Sequence, residues 1–311
     1  MSGKTIIILG LKVIALTMIL SLCFMAAAAI SLGSQPVASA VGESSPADGG
    51  SALLPLLASS FLQTVVFTYI ILRSRWTGWK LMAAVFLAFY GSHTIVAQIE
   101  SAVYLPTQLP PGMIPRLFVM GAIIAGVFSP VAVFILGKVR RKETPQVRNL
   151  RLVMPASEWV WRLVAIAAAY LVLYYGFGYF VAWRNPAVQA YYGGADPGSF
   201  FAQIAGIWRT TPWMFPWQAF RAMLWVAFVL PVIRMHRGKP WEVALAMASL
   251  FAVWSGTLLL PNPYMPEAVA RAHLVETASS NFIFGLVVGW LLSRRHSSEH
   301  EAFRSLPEAS G

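Results

Sequence analysis

Charge is scarce in this 311-residue chain: Asp, Glu, Lys and Arg together make up 11% of it, where soluble domains carry about a quarter. Acidic residues are the rarer sign, 12 against 23 lysines and arginines. With 58% of residues apolar, the chain cannot dress a water-facing surface, which excludes both a soluble globular domain and a disordered one. A single cysteine, Cys23, excludes an internal disulfide. Signature motifs are missing too: there is no Walker loop, no GxSxG, no GxGxxG and no HExxH. No internal repeat is visible, since the His/Glu pattern of the third apolar run has no echo in the seventh, where a four-plus-four duplication would put it.

What the chain does have is apolar length in segments. Runs at about residues 5–32, 53–72, 81–99, 116–136, 163–183, 217–233, 243–260 and 272–292 are each long enough to cross about 30 Å of hydrocarbon. The fold expected is an all-α, polytopic membrane bundle of about eight transmembrane helices. One transmembrane domain covers 1–296 and a charged tail covers 297–311. The first run is about twice the ~7–15 apolar residues of a secretory signal, so it reads as an uncleaved span despite the Val37-Ala38-Ser39-Ala40 stretch that resembles a cleavage site. Residues 33–51, rich in Ser, Gly, Ala and Pro, read as a flexible loop. Phe200–Trp208 reads as a short helix lying on the membrane surface.

The basic residues sort by side. Eighteen of the 23 fall at Lys4, Lys12, 73–80, 138–162, 234–239 and 294–304; the other side holds only Arg116, Arg184, Arg209, Arg221 and Arg271. The positive-inside rule then puts both termini in the cytoplasm, consistent with an even number of spans, most simply in a bacterial cytoplasmic membrane. Positive charge used this way marks topology, so no nucleic acid is expected as a partner. Membrane lipids are expected neighbours, with the basic loop at 138–151 touching anionic headgroups. His236, His296 and His300 fall in the same segments and read as solvated. Tyr170, Tyr174 and Tyr175 read as packing residues, and Gly285 with Gly289 as a close-packing pair.

With that topology, most ionisable residues within or capping a span lie in its outer half. His93 and Glu100 are seven apart on the third run, on one face and about 10 Å apart along the axis of a regular helix. His273 and Glu276 are three apart on the eighth, and Arg116, Arg221 and Arg271 start three different runs. Ionisable groups at membrane depth are costly unless gathered inward, so these residues point to one outward-opening polar pocket. Three readings of it are open. A metal ion, the one cofactor considered, would take His273, Glu276 and Glu100 as ligands, although His93 and Glu100 are too far apart to share it. A small amphiphilic or anionic substrate would be held by Arg116, Arg221, Arg271 and Asn281, with His93, Glu100, His273 and Glu276 as the catalytic proton-transfer groups. A structural network would pair Arg221 or Arg271 with Glu100 or Glu276 and leave His93 bonded to a backbone carbonyl. The function expected is that of a membrane-embedded enzyme acting on an amphiphilic or anionic substrate. The alternatives are a small-molecule permease that uses the same residues as its substrate and proton site, and a non-catalytic scaffold or assembly protein. The chain lacks the paired haem-ligating histidines of haem A synthase-like proteins and the Glu-Glu motif of CAAX-protease-like enzymes.

Overall fold

The fold is seen in a computed structural model that describes residues 2–33, 52–105, 107–140, 151–194, 196 and 198–294. Most of the 33–51 loop, residues 141–150 of the basic loop, His296, His300 and the tail lie outside the described residues. Ten helices form within them. Eight are long and apolar enough to span a membrane: α1 (Gly3–Leu32), α2 (Leu53–Leu72), α3 (Gly78–Tyr104), α4 (Met113–Ile135), α5 (Ala156–Ala182), α8 (Met214–Met235), α9 (Pro240–Leu259) and α10 (Glu267–Ser293). Two short ones lie between spans, α6 (Pro186–Tyr192) and α7 (Phe200–Thr210). The protein is therefore an all-α polytopic helical bundle, and eight alternating spans return Ser293 to the end at which Gly3 starts.

Most spans run a few residues past the apolar runs that announce them. An apolar run stops at the first charge, whereas backbone hydrogen bonding continues through interfacial Trp, Glu and Arg. Thus α5 begins at Ala156 and carries Glu158, Trp159, Trp161 and Arg162 in its first turns. Helix α1 is integrated into the bundle against α4 and α2, with Leu16, Leu20 and Ala27 wholly buried. Two spans are irregular where they matter: α3 is π-helical over Tyr90–Ile95 and α5 over Gly178–Ala182. Packing is tightest between α9 and α10, where Gly285 and Gly289 lie against the backbone at Ala248 and Ala244. An aromatic core joins the spans at mid-depth, Trp225 to Phe251 (4.5 Å between ring centres), Phe251 to Phe284 (5.5 Å) and Phe284 to Tyr170 (4.7 Å).

The basic end of the bundle is knitted together. Ser74 and His236 form an antiparallel bridge, Arg73 pairs with Glu242, and Lys138 Nζ donates to the Ser74 carbonyl at 2.9 Å. Arg151 donates to the carbonyls of His236 (2.5 Å) and Gly238 (2.7 Å), covering the end of α8. Arg162, buried, holds Glu158 and donates to the Leu291 carbonyl at 2.6 Å, which caps α10 against its own dipole. These cations bind the protein's own carbonyls and carboxylates.

His236 corrects an expectation. It is 1% exposed, because the bridge to Ser74 draws the loop inward. Its Nδ1 accepts the Gly238 backbone N–H at 2.9 Å, and its ring leans on Tyr69 at 5.7 Å. Burial first, then the charges of Arg151, Arg73 and Arg75, push its pKa down to about 4. An unfolded chain protonates it near 6.5, so between those values the unfolded state binds more protons and stability falls as pH drops. The expected outcome is that the fall in Tm between about pH 6.5 and 4 becomes shallower in His236→Asn, measured by thermal unfolding in detergent.

Candidate functional site

Opposite the basic end, two polar constellations sit side by side. The first joins α3 to α8. Arg221 Nη1 donates to Glu100 Oε1 at 3.0 Å and Nη2 to Oε2 at 2.5 Å, a two-pronged pair. The same Nη1 donates to Gln218 Oε1 at 2.8 Å, and Gln218 Nε2 donates to the Tyr104 hydroxyl at 2.8 Å. The rings of Tyr174 and Tyr170 on α5 lie 5.9 and 6.0 Å from the guanidinium. Arg221 is almost wholly buried, its side chain 4% exposed, whereas that of Glu100 is 32% exposed. Three of its five N–H donors are spent on Glu100 and Gln218, and Nε is buried without a hydrogen-bond partner.

The second constellation is a linear chain. His273 Nδ1 lies 2.7 Å from Glu276 Oε2, and His273 Nε2 lies 3.1 Å from the Tyr192 hydroxyl. An ionised Glu276 only accepts, so Nδ1 carries the proton between them and Nε2 is left to accept from Tyr192. Tyr192 is placed by α6, a helix whose start is written locally: Asn185 Oδ1 accepts the Ala187 N–H at 2.9 Å and Pro186 occupies the first position. The adjacent Tyr191 hydroxyl donates to the Tyr264 carbonyl at 2.8 Å, tying α6 to the loop before α10. Glu276 faces α5 where Gly178 opens its π-helical turn, with Oε1 at 3.6 Å from the position a Cβ would take there. Below it, Thr277 Oγ1 lies 2.9 Å from Ser255 Oγ of α9. His273 and Glu276 keep 18% and 13% side-chain exposure, so the chain of groups is sheltered yet reachable.

Tyr192 connects the two constellations electrostatically. Burial first, then the charges of Glu100, Tyr191 and Glu276, raise its pKa well above the ordinary phenol value. The hydroxyl stays protonated and acts as a donor, not as a nucleophilic phenolate.

The other expected residues are dispersed. His93 is half-buried between Phe89 (4.9 Å) and Phe67 of α2 (5.7 Å), with the Leu250 carbonyl of α9 beside it and both ring nitrogens shielded without a well-formed hydrogen bond. The π-helical turn separates its surroundings from those of Glu100, because the wider turn resets the phase of the residues that follow. Arg116 is exposed at the start of α4. Arg271 is 75% exposed and pairs with Glu267 at 2.5 Å, on the rim of a shallow hollow shared with Asn185 and Ala268. Asn281 is buried about 7.5 Å further along α10 than Glu276. Among the described residues no group of three His, Cys, Asp or Glu side chains converges as metal ligands would; Glu100 faces Arg221 while His273 and Glu276 face each other.

Tyr192, Tyr104 and Gln218 are absent from the candidate site residues that the sequence yields. The Asn185-Pro186 pair was the available signal for α6 and its tyrosines; Gln218, three before Arg221, lay one helical turn from a marked residue. The fold and this site together define a polytopic helical membrane protein with a polar, aromatic-lined end. No protein-family profile matches the chain, and no curated protein or solved structure is significantly similar to it.

Proposed function

We propose that the protein is a membrane-embedded enzyme that carries out proton transfer on an amphiphilic substrate at the outer face. The observation behind this reading is the chain Tyr192–His273–Glu276, a hydroxyl, an imidazole and a carboxylate in hydrogen-bond sequence. Glu276 stabilises the imidazolium that forms when Nε2 takes a proton, which makes His273 the general base. Because Nε2 is occupied by the Tyr192 hydroxyl, Tyr192 acts as a relay: it passes its own proton to Nε2 as it takes one from the attacking hydroxyl. It hands a proton to the leaving group when Nε2 returns one, so it ends each turnover protonated. The nucleophile in such a site is a water or a substrate hydroxyl. Exposed Phe180, Phe201, Trp208 and Trp213 surround this end, the aromatic belt an amphiphile would cross on its way in from the outer leaflet.

A permease is a second reading, favoured by one feature. The buried face of α2 is polar, with Ser59, Ser60, Gln63, Thr64 and Thr68 at most 5% exposed. Several of these atoms lack a hydrogen-bond partner, as do the ring nitrogens of His93. One experiment separates the readings. Protein is reconstituted in vesicles of bacterial lipid extract, and both the lipid composition and solute flux are followed by mass spectrometry. The enzyme reading expects a lipid species to be consumed, about 10²–10⁴-fold more slowly in His273→Asn and Glu276→Gln at unchanged protein yield. Flux without chemical change, lost in Gln63→Leu and retained in His273→Asn, would decide for the permease. Identical lipid profiles for wild type and His273→Asn would defeat the enzyme.

A further inference from the structure

At the basic end, α9 and α10 leave a groove on the lipid-facing side of their crossing. It encloses about 530 Å³ and is lined by Trp241, Ala244, Leu245, Leu286, Val287 and Trp290. That volume lies in the range that accommodates a small organic ligand, and the exposed lining is almost wholly apolar. The groove exists because the two helices touch backbone to backbone at Ala244 and Gly289, so the larger side chains on either side of the contact stand as walls. Trp241 and Trp290 are 54% and 42% exposed and stand near the start of α9 and the end of α10, the span ends where indole rings favour the headgroup layer.

The mouth of the groove is charged. Ser293 Oγ donates to the Pro240 carbonyl at 3.3 Å, which holds the end of α10 beside the start of α9. Each of those residues is the chain neighbour of a cation, Arg294 and Lys239. Both cations are exposed, and the Arg294 guanidinium lies over the Trp290 ring at 5.0 Å. Among the described residues the nearby negative groups are already engaged: Glu242 by Arg73 and the Lys239 backbone N–H, Glu158 by Arg162, and the Leu291 carbonyl of α10 also by Arg162. The start of α9 adds the positive end of a helix dipole. Two exposed cations without an acidic partner among the described residues thus lie next in the chain to the ends of α9 and α10 that carry the groove's two tryptophans.

We infer that this groove is a binding site for one anionic phospholipid of the leaflet at the basic end, its acyl chain between Trp241 and Trp290 and its phosphate between Lys239 and Arg294. A zwitterionic lipid presents the same chain but carries a cation beside its phosphate, so headgroup charge is the discriminating variable.

The test uses the full-length protein in phosphatidylcholine vesicles containing phosphatidylglycerol or phosphatidylcholine brominated on the acyl chain, which quenches tryptophan on contact. The quenching assigned to the groove is that of wild type minus that of Trp241→Phe/Trp290→Phe. Brominated phosphatidylglycerol is expected to quench these two rings at lower mole fraction than brominated phosphatidylcholine. The preference is expected to fall about fivefold for each charge removed in Lys239→Gln and Arg294→Gln. Both cations are exposed, so these variants keep the fold. Equal quenching by the two lipids, or a preference unchanged in the double charge variant, would overturn the assignment and leave only non-selective lipid contact.

Discussion

The expected result of Gly289→Leu is loss of the folded protein from detergent extracts, and Gly285→Leu should behave alike. A Cβ at residue 289 would lie 2.5 Å from the Ala244 Cα and 2.8 Å from the Val243 carbonyl oxygen; at residue 285 it would lie 2.5 Å from the Ala248 Cα and the Met247 carbonyl oxygen. These are backbone atoms of α9, so no side chain can swing aside and the helices themselves must separate. Separation would open the α9–α10 seam, whose neighbours Val288, Leu292 and Met247 are at most 1% exposed. Between membrane helices such close approach is the main source of association, because lipid offers no hydrophobic penalty for parting. Overpacking a core costs about 1–3 kcal/mol when side chains can adjust; four carbons set against backbone belong at or above the top of that range. Gly176→Leu is the control, since a Cβ there meets nothing within 4 Å. Size-exclusion profiles and Tm of the three variants decide the matter, and a wild-type Tm for Gly289→Leu would show that the seam is not close-packed.

That pair of glycines was legible as a pattern, and so were the eight spans, because both are written in side-chain size and polarity along one helix. The site was legible in part. His273 and Glu276 announce each other at a helical spacing, and the exposed Glu267–Arg271 pair could have been read the same way, four residues apart. Other features depend on what polarity does not encode. The π-helical turn of α3 is a backbone event, and it is what gives His93 an aromatic setting while Glu100 meets Arg221. Tyr192 lies where composition reads as loop, and only its α6 scaffold brings it to His273. Of the arginines that begin spans, Arg221 turns inward because Glu100 and Gln218 await it, whereas Arg116 and Arg271 stay at the surface. The choice was made by partners distant along the chain.

The Glu100–Arg221 pair carries the second large effect, and its two halves should not be equivalent. Two-pronged pairs between arginine and carboxylate are strong when sheltered, and breaking a buried one by removing a single partner costs about 3–5 kcal/mol. Exposed pairs are worth about 0–1 kcal/mol. This pair is neither: the guanidinium side of the pair is 4% exposed and the carboxylate side 32%. Glu100→Ala leaves a buried cation that cannot rehydrate, with Gln218 Oε1 its one remaining hydrogen-bond acceptor among the contacts described. Arg221→Met leaves a carboxylate that is already a third in contact with the surface and can recover water, while Met fills much of the volume beside Tyr170 and Tyr174. The expected order of Tm is therefore wild type, then Arg221→Met, then Glu100→Ala, with the last destabilised by about 3 kcal/mol or more. The double variant Glu100→Ala/Arg221→Met should be more stable than Glu100→Ala alone, because the second change removes the charge that the first stranded. If Glu100→Ala instead unfolds within about 1 kcal/mol of wild type, water reaches the guanidinium from this end of the bundle. Arg221 would then be free to exchange its internal partner for a bound anion, restoring to it the substrate-holding role its position in sequence first suggested.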